Sequence, residues 1–433
     1  MKIALVLGRG VEGVGVTKNV VEFQKLFPSA EIFASIDKEW DRRNSMEFDV
    51  NYYRGTDWDT VSKQSKKYPD LMTCTDVIDS INQMDMCIIF SLPSKPAGAS
   101  KSHSEEYANN FLKMLDEIKV RKSLVNVDHN AASLHRNANL VEVCNKLDVL
   151  LCHDINNPFG EWVRKNNIET PLTNMGVGFN FNKDAWRPIE EQDPWTVRWV
   201  GRTAMWKGPT IMIDIHNEHL RNKNYVTILE GLEGSIQYPM VLYHGWNPTT
   251  KIKSDRRDVI NYFRPERDID ETYGIRIPPY GQEQKNMGAY LYPGYKHTDM
   301  IERMSKSAFG SDLMNFKKNM YGNNIEYCHS DSFAAGVVPL FHKHFCDNIV
   351  HKKQGKPVSQ CDNTGTLGID LKNADEVSNK MVKLSNDNVM RDEYRNMAYD
   401  FWKEHCDAID VYQDIIDKTM TMEKEPSLED LFA

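Results

Sequence analysis

The chain of 433 residues lacks three features that would each assign it to a class of protein. Its eight cysteines form no Cys-x-x-Cys pair, so neither a zinc site nor a disulfide framework is indicated. No apolar run approaches the roughly 18 residues that span a bilayer, and residues 1–7 lead into a glycine loop instead of a signal peptide. A net charge of −9 argues against a surface that is basic overall, although a local basic cleft can coexist with it. These absences predict a reduced, cytosolic protein.

The composition is that of an ordinary globular protein, and the chain is too long to fold around a single hydrophobic core. Hydrophobic residues make up 40% and charged residues 27%. Because single cores stop growing at about 250–300 residues, we expect two domains of about 200 residues each. Strand-like and helix-like segments alternate in both halves, which predicts an α/β fold with parallel sheets. The segment 177–194, rich in Asn, Pro and Trp, is the expected linker.

A glycine-rich loop follows the first predicted strand, Lys2–Leu7. Gly8–Gly13 is a literal GxGxxG motif that opens a helix, and the next strand, Glu31–Ile36, ends at Asp37. An acid at this distance binds ribose in dinucleotide-binding folds. However, any tight strand-to-helix turn recruits glycine, so the motif alone does not establish a nicotinamide cofactor.

Two further strand ends carry polar residues that suit chemistry. The strand Trp195–Val200 ends at Gly201 and is followed by Arg202 and Lys207; a guanidinium can grip a diphosphate while an ammonium neutralises it. The strand Ser123–Val127 ends in Asp128-His129, where a carboxylate could take a proton from an attacking hydroxyl. The alternative at the first strand end is a turn with two solvated cations. The alternative at the second is that Asp128 or Asn130 caps the next helix, Ala131–Lys146.

The rest of the second half repeats the strand–helix pattern. A strand over Tyr225–Leu229 precedes Lys251–Tyr295, which has little periodicity and reads as a partly loop-like insertion. A helix over Ile325–Ala335 carries Asp331 and leads into a strand over Gly336–Phe341. Helices are also expected over Ala374–Leu384, Met390–His405 and Ala408–Thr419.

Several segments together resemble the T-even phage DNA α-glucosyltransferases. They occur in the family's order in both halves and leave out mainly Lys251–Tyr295 and the C-terminal tail. The combination of RW-GRT-WKG with ERMSKS-F-G is far more specific than a glycine loop. The segments are Gly8–Lys18, Asp128–Asn137, Arg198–Gly208, Thr227–Glu233, Glu302–Gly310, Glu326–His329 and Ala334–Phe341.

The resemblance implies a GT-B architecture, an α/β fold with two Rossmann-like domains facing across a cleft. Residues 1–180 would form the acceptor and DNA side, residues 195–405 the UDP-sugar domain, 406–422 a helix that crosses back to the first domain, and 423–433 a flexible tail. The implied reaction moves a sugar from a UDP-sugar to the hydroxymethyl group of 5-hydroxymethylcytosine in duplex DNA, with retention. It would protect phage DNA from restriction in the cytoplasm of the infected host.

The resemblance also implies roles for individual residues. Asp128 and His129 would be catalytic, near the acceptor. Asp331 would bind the ribose hydroxyls, at a position where GT-B enzymes have the longer glutamate. No metal or tightly bound cofactor is expected, because the side chains of Arg202, Lys207 and Arg303 can neutralise the charge of the leaving diphosphate. The implied donor-binding residues are Gly13, Val14, Arg202, Lys207, Glu230, Gly231, Arg303, Ser307, Phe309, Gly310 and Asp331.

Some features of the reaction stay open at the level of sequence. We see no second carboxylate for a double displacement, which favours departure and attack on the same face with Asp128 as base or charge stabiliser. Reaching a stacked base favours flipping it out. The donor sugar is glucose or a pentose such as arabinose, since Ala204-Met205 depart from the family's donor loop. Candidate phosphate contacts are the basic segments Lys63–Lys67, Arg256-Arg257 and His351–Lys353.

Other proteins share parts of this pattern. A glycosyltransferase acting on a glycan, lipid or small molecule would have the same donor site, and so would a UDP-sugar 2-epimerase of the same fold. A non-catalytic DNA accessory protein could keep the fold without the reaction. All three alternatives predict no transfer of sugar to modified DNA.

The C-terminal tail carries apolar residues among acidic ones. Leu428, Leu431 and Phe432 form an SLxxLF pattern, which resembles the peptides by which replication proteins hold a sliding clamp. The alternative is that these side chains dock on their own domain. The first interpretation predicts the phage sliding clamp as a partner.

Overall fold

We describe the protein from a computed structural model. The structure describes residues 1–8, 15–35, 49–61, 71–93, 101–126, 139–152, 155–156, 158–175, 192–201, 208–232, 269–270, 274–276, 289–295, 304–313, 329, 331–332, 335–348, 354–361, 363–406 and 408–423. Contacts divide these residues into two compact units. Residues 1–175 with 408–423 form the first unit, and residues 192–406 form the second.

The first unit is built on a seven-stranded sheet in which every strand pair is parallel. The strand order is β3-β2-β1-β4-β5-β6-β7. Such sheets are covered on both faces, which explains why IALVL in the first strand is buried at every position. The strands are β1 Ile3–Leu7, β2 Ala30–Ser35, β3 Asn51–Tyr53, β4 Met86–Ser91, β5 Arg121–Asn126, β6 Val149–Cys152 and β7 Leu172–Asn174.

Helices cover this sheet on two faces with separate cores. The helices are α1 Gly15–Leu26, α2 Cys74–Ile81, α3 Lys101–Glu117, α4 Leu140–Asn145, α5 Pro158–Lys165 and a last helix near the C-terminus, α10 Ala408–Thr421. On one face, Val20 and Phe23 of α1 pack with Tyr412 of α10 against the sheet. On the other face, residues of α2 to α5 pack against side chains such as Val6 and Ile89.

The second unit holds an eight-stranded sheet in the order β10-β11-β12-β9-β8-β13-β14-β15. Strands β9, β8, β13, β14 and β15 follow one another in parallel, and β11 is antiparallel to both of its neighbours. The strands are β8 Asp193–Gly201, β9 Val226–Leu232, β10 Ile269–Asp270, β11 Gly274–Arg276, β12 Ala289–Tyr295, β13 Ser307–Asp312, β14 Val338–His342 and β15 Leu367–Ile369. The helices are α6 Pro209–Ile215, α7 Lys343–Asn348, α8 Ala374–Asn386 and α9 Asn388–Cys406.

The C-terminal helix α10 belongs to the first unit, although it follows the second unit in sequence. Arg121 Nε, at the start of β5, donates a hydrogen bond to the Thr419 carbonyl (2.7 Å), and Thr419 Oγ1 donates to Ser123 Oγ (2.8 Å). The Tyr412 hydroxyl donates to the Asn19 carbonyl on α1 (3.2 Å). The predicted helix that crosses back to the first domain is therefore confirmed.

Two strands of the second sheet lie where the sequence showed no strand pattern. Strand β12 lies inside the expected insertion Lys251–Tyr295 and pairs in parallel with β9. Strand β13, Ser-Ala-Phe-Gly-Ser-Asp, is buried at every position and lies between β8 and β14. Their small residues and their proline and glycine have low strand propensity, so pairing and burial in the sheet decide the conformation.

The side chain of Asn19 is buried in the first unit at a measurable cost. The residue is fully buried on α1, and in the described part of the chain neither Nδ2 nor Oδ1 has a hydrogen-bond partner. An unsatisfied buried polar group costs about 1–3 kcal/mol. We expect Asn19→Leu to raise the free energy of unfolding by about 1 kcal/mol, measured by chemical denaturation.

The matched control for this prediction is Asn82. Its Nδ2 donates to the Glu117 carbonyl (3.1 Å), and its Oδ1 accepts from the Lys119 amide (2.7 Å). Because this amide is satisfied, Asn82→Leu is expected to lower the stability. If both substitutions destabilise the protein equally, the interpretation of Asn19 is wrong.

Asp214 on α6 gives the stability a pH dependence. Burial raises the pKa of Asp214 to about 6, and the nearby carboxylate of Glu218 adds to the shift. The folded protein therefore holds this proton more tightly than the unfolded chain does. The resulting stability is fully present below the unfolded pKa of 3.8 and is lost as the pH rises through about 6.

We expect Asp214→Asn to remove this loss, because the amide does not ionise. The wild type should lose about 1 kcal/mol between pH 4 and pH 7 once screening by water is allowed for, while the variant stays level. Thermal unfolding across this pH range measures the difference. Glu376→Gln, at an exposed position on α8, is the control and should keep the wild-type profile.

Candidate donor site and acceptor edge

The carboxyl edge of the second sheet brings together the strand ends that the sequence marked. Gly201, the last residue of β8, pairs with Gly231 of β9, and Val200 pairs with Glu230. The predicted donor residues Glu230 and Gly231 therefore lie beside the strand end that leads to Arg202. Open α/β sheets bind ligands outside this edge, so the arrangement suits a donor site.

Both residues that flank the segment with Arg202 and Lys207 have defined positions in the second unit. The segment begins after Gly201 at the sheet edge and ends at Gly208, which lies against Leu313, the first residue after β13. Gly208 has a φ of +74°, and a Cβ at this position would lie 2.0 Å from the Leu313 carbonyl oxygen. Only glycine fits such a position, because it tolerates positive φ and lets two backbones touch.

Ser307 and Phe309 lie on β13 and are both fully buried. Ser307 pairs with Asp193 at the amino end of the strand, and its Oγ accepts a hydrogen bond from Arg198 Nε (3.2 Å). At about 3.3 Å per residue, Ser307 lies about 16 Å from Asp312 at the other end of β13. The structure thus does not bring Ser307 to the carboxyl edge. Phe309 packs edge-to-face against Tyr225 (6.0 Å) in the core.

Gly310 lets an adjacent turn approach the middle of β13. A Cβ on Gly310 would lie 2.5 Å from Val337 Cγ2 and 3.0 Å from Ser332 Oγ. The glycine therefore seats the helix that carries Asp331 against the sheet. Direct contacts of Ser307, Phe309 and Gly310 with a diphosphate stay predictions.

Asp331 lies on a short helical segment next to this contact. The residue is 4% exposed, and its carbonyl accepts a hydrogen bond from the Ala335 amide (2.9 Å). The Val337 amide donates to the Ser332 carbonyl (3.3 Å), and Gly336 between them has a φ of +69°. This is a Schellman turn, which satisfies carbonyls at a helix C-terminus.

A second group of ionisable side chains at the carboxyl edge was missed by sequence reasoning. Asp312 ends β13 and His329 lies two residues before Asp331; both are fully buried, with His329 Nε2 3.9 Å from Asp312 Oδ2. The His329 ring packs on Phe341 and Phe345, with ring centroids 4.4 and 4.0 Å apart. His329 lies in the segment Glu326–His329, which resembles the family, but only the fold shows that this histidine lies beside Asp312.

His342 ends the neighbouring strand β14 at the same edge. Burial lowers the pKa of His342, and the carboxylates of Asp370 and Asp312 oppose that shift. The ring Nδ1 accepts a hydrogen bond from the His344 amide (3.1 Å). The ends of β13 and β14 thus carry an acid and a base in partly desolvated surroundings, which is common at functional sites.

At the carboxyl edge of the first sheet end the two strands that precede the glycine loop and the Asp128-His129 pair. Strand β1 leads to the glycine loop, and its Gly8 amide donates to the Ser91 carbonyl at the end of β4 (2.8 Å). Strand β5 ends at Asn126, which is buried and lies two residues before Asp128. Because β4 pairs with both β1 and β5, the glycine loop and the Asp-His pair begin at neighbouring points of one edge.

Several predicted residues lie outside the described part of the chain, and their roles stay predictions. Among the described residues, no cluster of three metal-ligating side chains could hold a metal ion. No helix in the described ranges is both long and apolar enough to span a membrane. The predicted residues outside the described ranges are Gly13, Val14, Asp128, His129, Arg202, Lys207, Arg303, Leu428, Leu431 and Phe432, together with the three basic segments.

A substitution at Gly208 tests the close contact between this residue and the Leu313 carbonyl. Gly208→Ala must relieve both the positive φ and the contact with the Leu313 carbonyl, so we expect a loss of about 3 kcal/mol in the free energy of unfolding. Gly355 has a similar φ of +63° but nothing within 4 Å of a Cβ. Gly355→Ala should therefore cost only about 1 kcal/mol by the same denaturation measurement. Equal losses would contradict the contact.

Comparison with known proteins places this geometry in a family. A family model described as DNA alpha-glucosyltransferase matches residues 31–389. The chain is 26% identical to the DNA alpha-glucosyltransferase of Enterobacteria phage T4 over 434 residues, covering 94% of this chain and 97% of the relative.

Solved structures show the same fold. An alpha-glucosyltransferase in complex with UDP and a 13-mer DNA containing an HMU base has a TM-score of 0.73 at 24% identity, with 97% of this chain and 100% of that chain covered. Anabaena HepE in complex with UDP and glucose has a TM-score of 0.57 at 10% identity, with 97% and 100% covered. These likenesses confirm the expected α/β fold of the GT-B class. Because the family model matches most of its length, the chain belongs to the DNA alpha-glucosyltransferase family.

Proposed function

We propose that the protein transfers glucose from UDP-glucose to the hydroxymethyl group of 5-hydroxymethylcytosine in duplex DNA, with retention at the anomeric carbon. The observation that carries this proposal is the family match over residues 31–389. In support, solved alpha-glucosyltransferases of the same fold hold UDP with a modified 13-mer DNA and UDP-glucose with DNA containing an abasic site. In the infected bacterium the product would shield phage DNA from restriction.

The donor side of this proposal lies in the second unit. Arg202, Lys207 and Arg303 hold the diphosphate and neutralise its charge as the glycosidic bond breaks, which requires no metal. The support is that Gly201, just before this segment, pairs with Gly231 at the carboxyl edge, and that Gly208, just after it, contacts Leu313 at the end of β13. Asp331 binds the ribose hydroxyls.

The acceptor side lies in the first unit. Asp128, two residues after the end of β5, accepts the proton of the acceptor hydroxyl or stabilises the developing positive charge, and His129 orients it. Donor departure and acceptor attack take place on one face of the sugar, and the base is flipped out of the duplex for attack. Gly13 and Val14, in the loop after β1, bind the donor. The Leu428, Leu431 and Phe432 peptide binds the sliding clamp.

The experiment that tests the function combines modified DNA with two donors. Purified protein is incubated with duplexes containing cytosine or 5-hydroxymethylcytosine and with UDP-glucose or UDP-arabinose, and the digested nucleosides are analysed by mass spectrometry. We expect a hexose adduct on 5-hydroxymethylcytosine alone. A pentose adduct would replace glucose by arabinose in the proposal, and unmodified DNA throughout would overturn it.

Asp128→Asn separates chemistry from donor binding in the same assay. The amide cannot accept the proton, so turnover should fall about a hundredfold or more while UDP affinity, measured by calorimetry, stays within about twofold. A collapse of UDP affinity would move Asp128 to the donor side.

The three cations give a further prediction. Arg202→Ala, Lys207→Ala and Arg303→Ala each remove a partner of the leaving diphosphate, which should cost about 3 kcal/mol, or about a hundredfold in turnover. Lys306→Ala is the matched control, because Lys306 is an exposed cation three residues after Arg303. Near-wild-type turnover in two of the three variants would contradict the donor assignment.

A further inference from the structure

The helical segment that carries Asp331 ends in a carbonyl held by two side chains from distant parts of the second unit. The Gly336 carbonyl oxygen accepts a hydrogen bond from Gln192 Nε2 (2.9 Å) and another from Arg395 Nε (2.5 Å). Gln192 immediately precedes β8, and Arg395 lies on α9. One atom therefore fixes the end of this helical segment to two separate elements.

The positive charge of Arg395 is favourable at the C-terminal end of the helical segment. Helix C-termini expose carbonyl oxygens and partial negative charge, which a cation stabilises. Arg395 is only 7% exposed, and its Nη1 donates to Asp392 Oδ1 (2.7 Å) one turn earlier on α9. The Asp392 side chain is 57% exposed, so water screens this ion pair, and the bond from Nε to the Gly336 carbonyl is the buried contact of the guanidinium.

The position of the turn determines the position of Asp331, because backbone hydrogen bonds connect the two directly. Gly336 lies between Ala335, whose amide bonds the Asp331 carbonyl, and Val337, whose amide bonds the Ser332 carbonyl. On the other side, Ser332 and Val337 press against Gly310 of the sheet. A shift of the Gly336 carbonyl would therefore move Asp331 relative to the sheet.

We propose that Arg395, assisted by Gln192, is a positioning residue for nucleotide binding, which holds the helical segment so that the Asp331 carboxylate meets the ribose hydroxyls. This inference rests on the ribose role given to Asp331 in the proposed function. Aspartate is one methylene shorter than glutamate, so its carboxylate has less reach. Its backbone must consequently be held more closely, and the buried guanidinium supplies that restraint.

The test measures ribose recognition directly. Calorimetry compares UDP with 2′-deoxy-UDP, which lacks one hydroxyl. We expect the wild type to prefer UDP by about tenfold, the value of about one charge-assisted hydrogen bond. Arg395→Met should lose most of this preference, because UDP loses more affinity than 2′-deoxy-UDP does, and Arg395→Lys, which keeps the charge, should recover part of it.

Arg391 provides the matched control. It lies one turn earlier on α9 and is also 7% exposed, but its Nη1 donates to the Leu384 and Ser385 carbonyls instead of the Gly336 turn. Arg391→Met should keep the full preference for UDP. Gln192→Met removes only one neutral donor, so it serves as the second variant and decides the outcome if Arg395→Met fails to fold.

A double substitution tests whether the effect passes through Asp331. If it does, Asp331→Ala with Arg395→Met should have no less preference for UDP than Asp331→Ala alone. The inference is overturned if the Arg395 and Gln192 variants keep the wild-type preference, if they weaken both ligands equally, or if the wild type shows no preference. A wild type that prefers UDP yet leaves 5-hydroxymethylcytosine unmodified would refute the proposed function and leave this inference intact.

Discussion

The parallel pairing of β13 between β8 and β14 is the constraint on which the second unit depends. The strand is composed mostly of small residues, and this permits close contact on both sides. At Gly310 the turn that follows Asp331 presses against the strand, and just beyond the strand the Leu313 carbonyl touches Gly208. One buried strand, with Leu313 directly after it, therefore contacts both the turn that follows Asp331 and Gly208, the residue that follows the segment with Arg202 and Lys207.

Sequence reasoning predicted the elements whose conformation follows from their own residues. The apolar run of β1 matches a strand that is buried at every position, and the amphipathic pattern of α10 matches a helix with one buried face. Both elements were found close to the expected bounds. Strand β13 could not be found this way, because Ser-Ala-Phe-Gly-Ser-Asp lacks a strand pattern. Its conformation comes from partners about 100 residues earlier and 30 residues later in the chain, which the local sequence does not reveal.

The candidate site was predictable to the extent that a residue's position on a strand implies its place in space. Glu230 and Gly231 end β9 beside the end of β8, as expected for residues at the carboxyl edge. Ser307 belongs to a motif that suggested a donor contact, yet it lies at the opposite end of its strand and accepts a hydrogen bond from Arg198. The resemblance drew attention to this segment, but only the register of β13 shows which end of it faces the edge.

The acidic character of the chain must be reconciled with the proposed binding of a diphosphate and DNA, and one residue at the carboxyl edge of the second sheet bears on this question. Asp312 ends β13 at this edge, where a free carboxylate would repel a diphosphate. The residue is fully buried, with His329 3.9 Å away and His342 at the end of the adjoining strand. The Asp312 side chain is therefore shielded from solvent at this edge. The net charge of −9 can then coexist with the proposed donor edge, where Arg202, Lys207 and Arg303 would supply local positive charge.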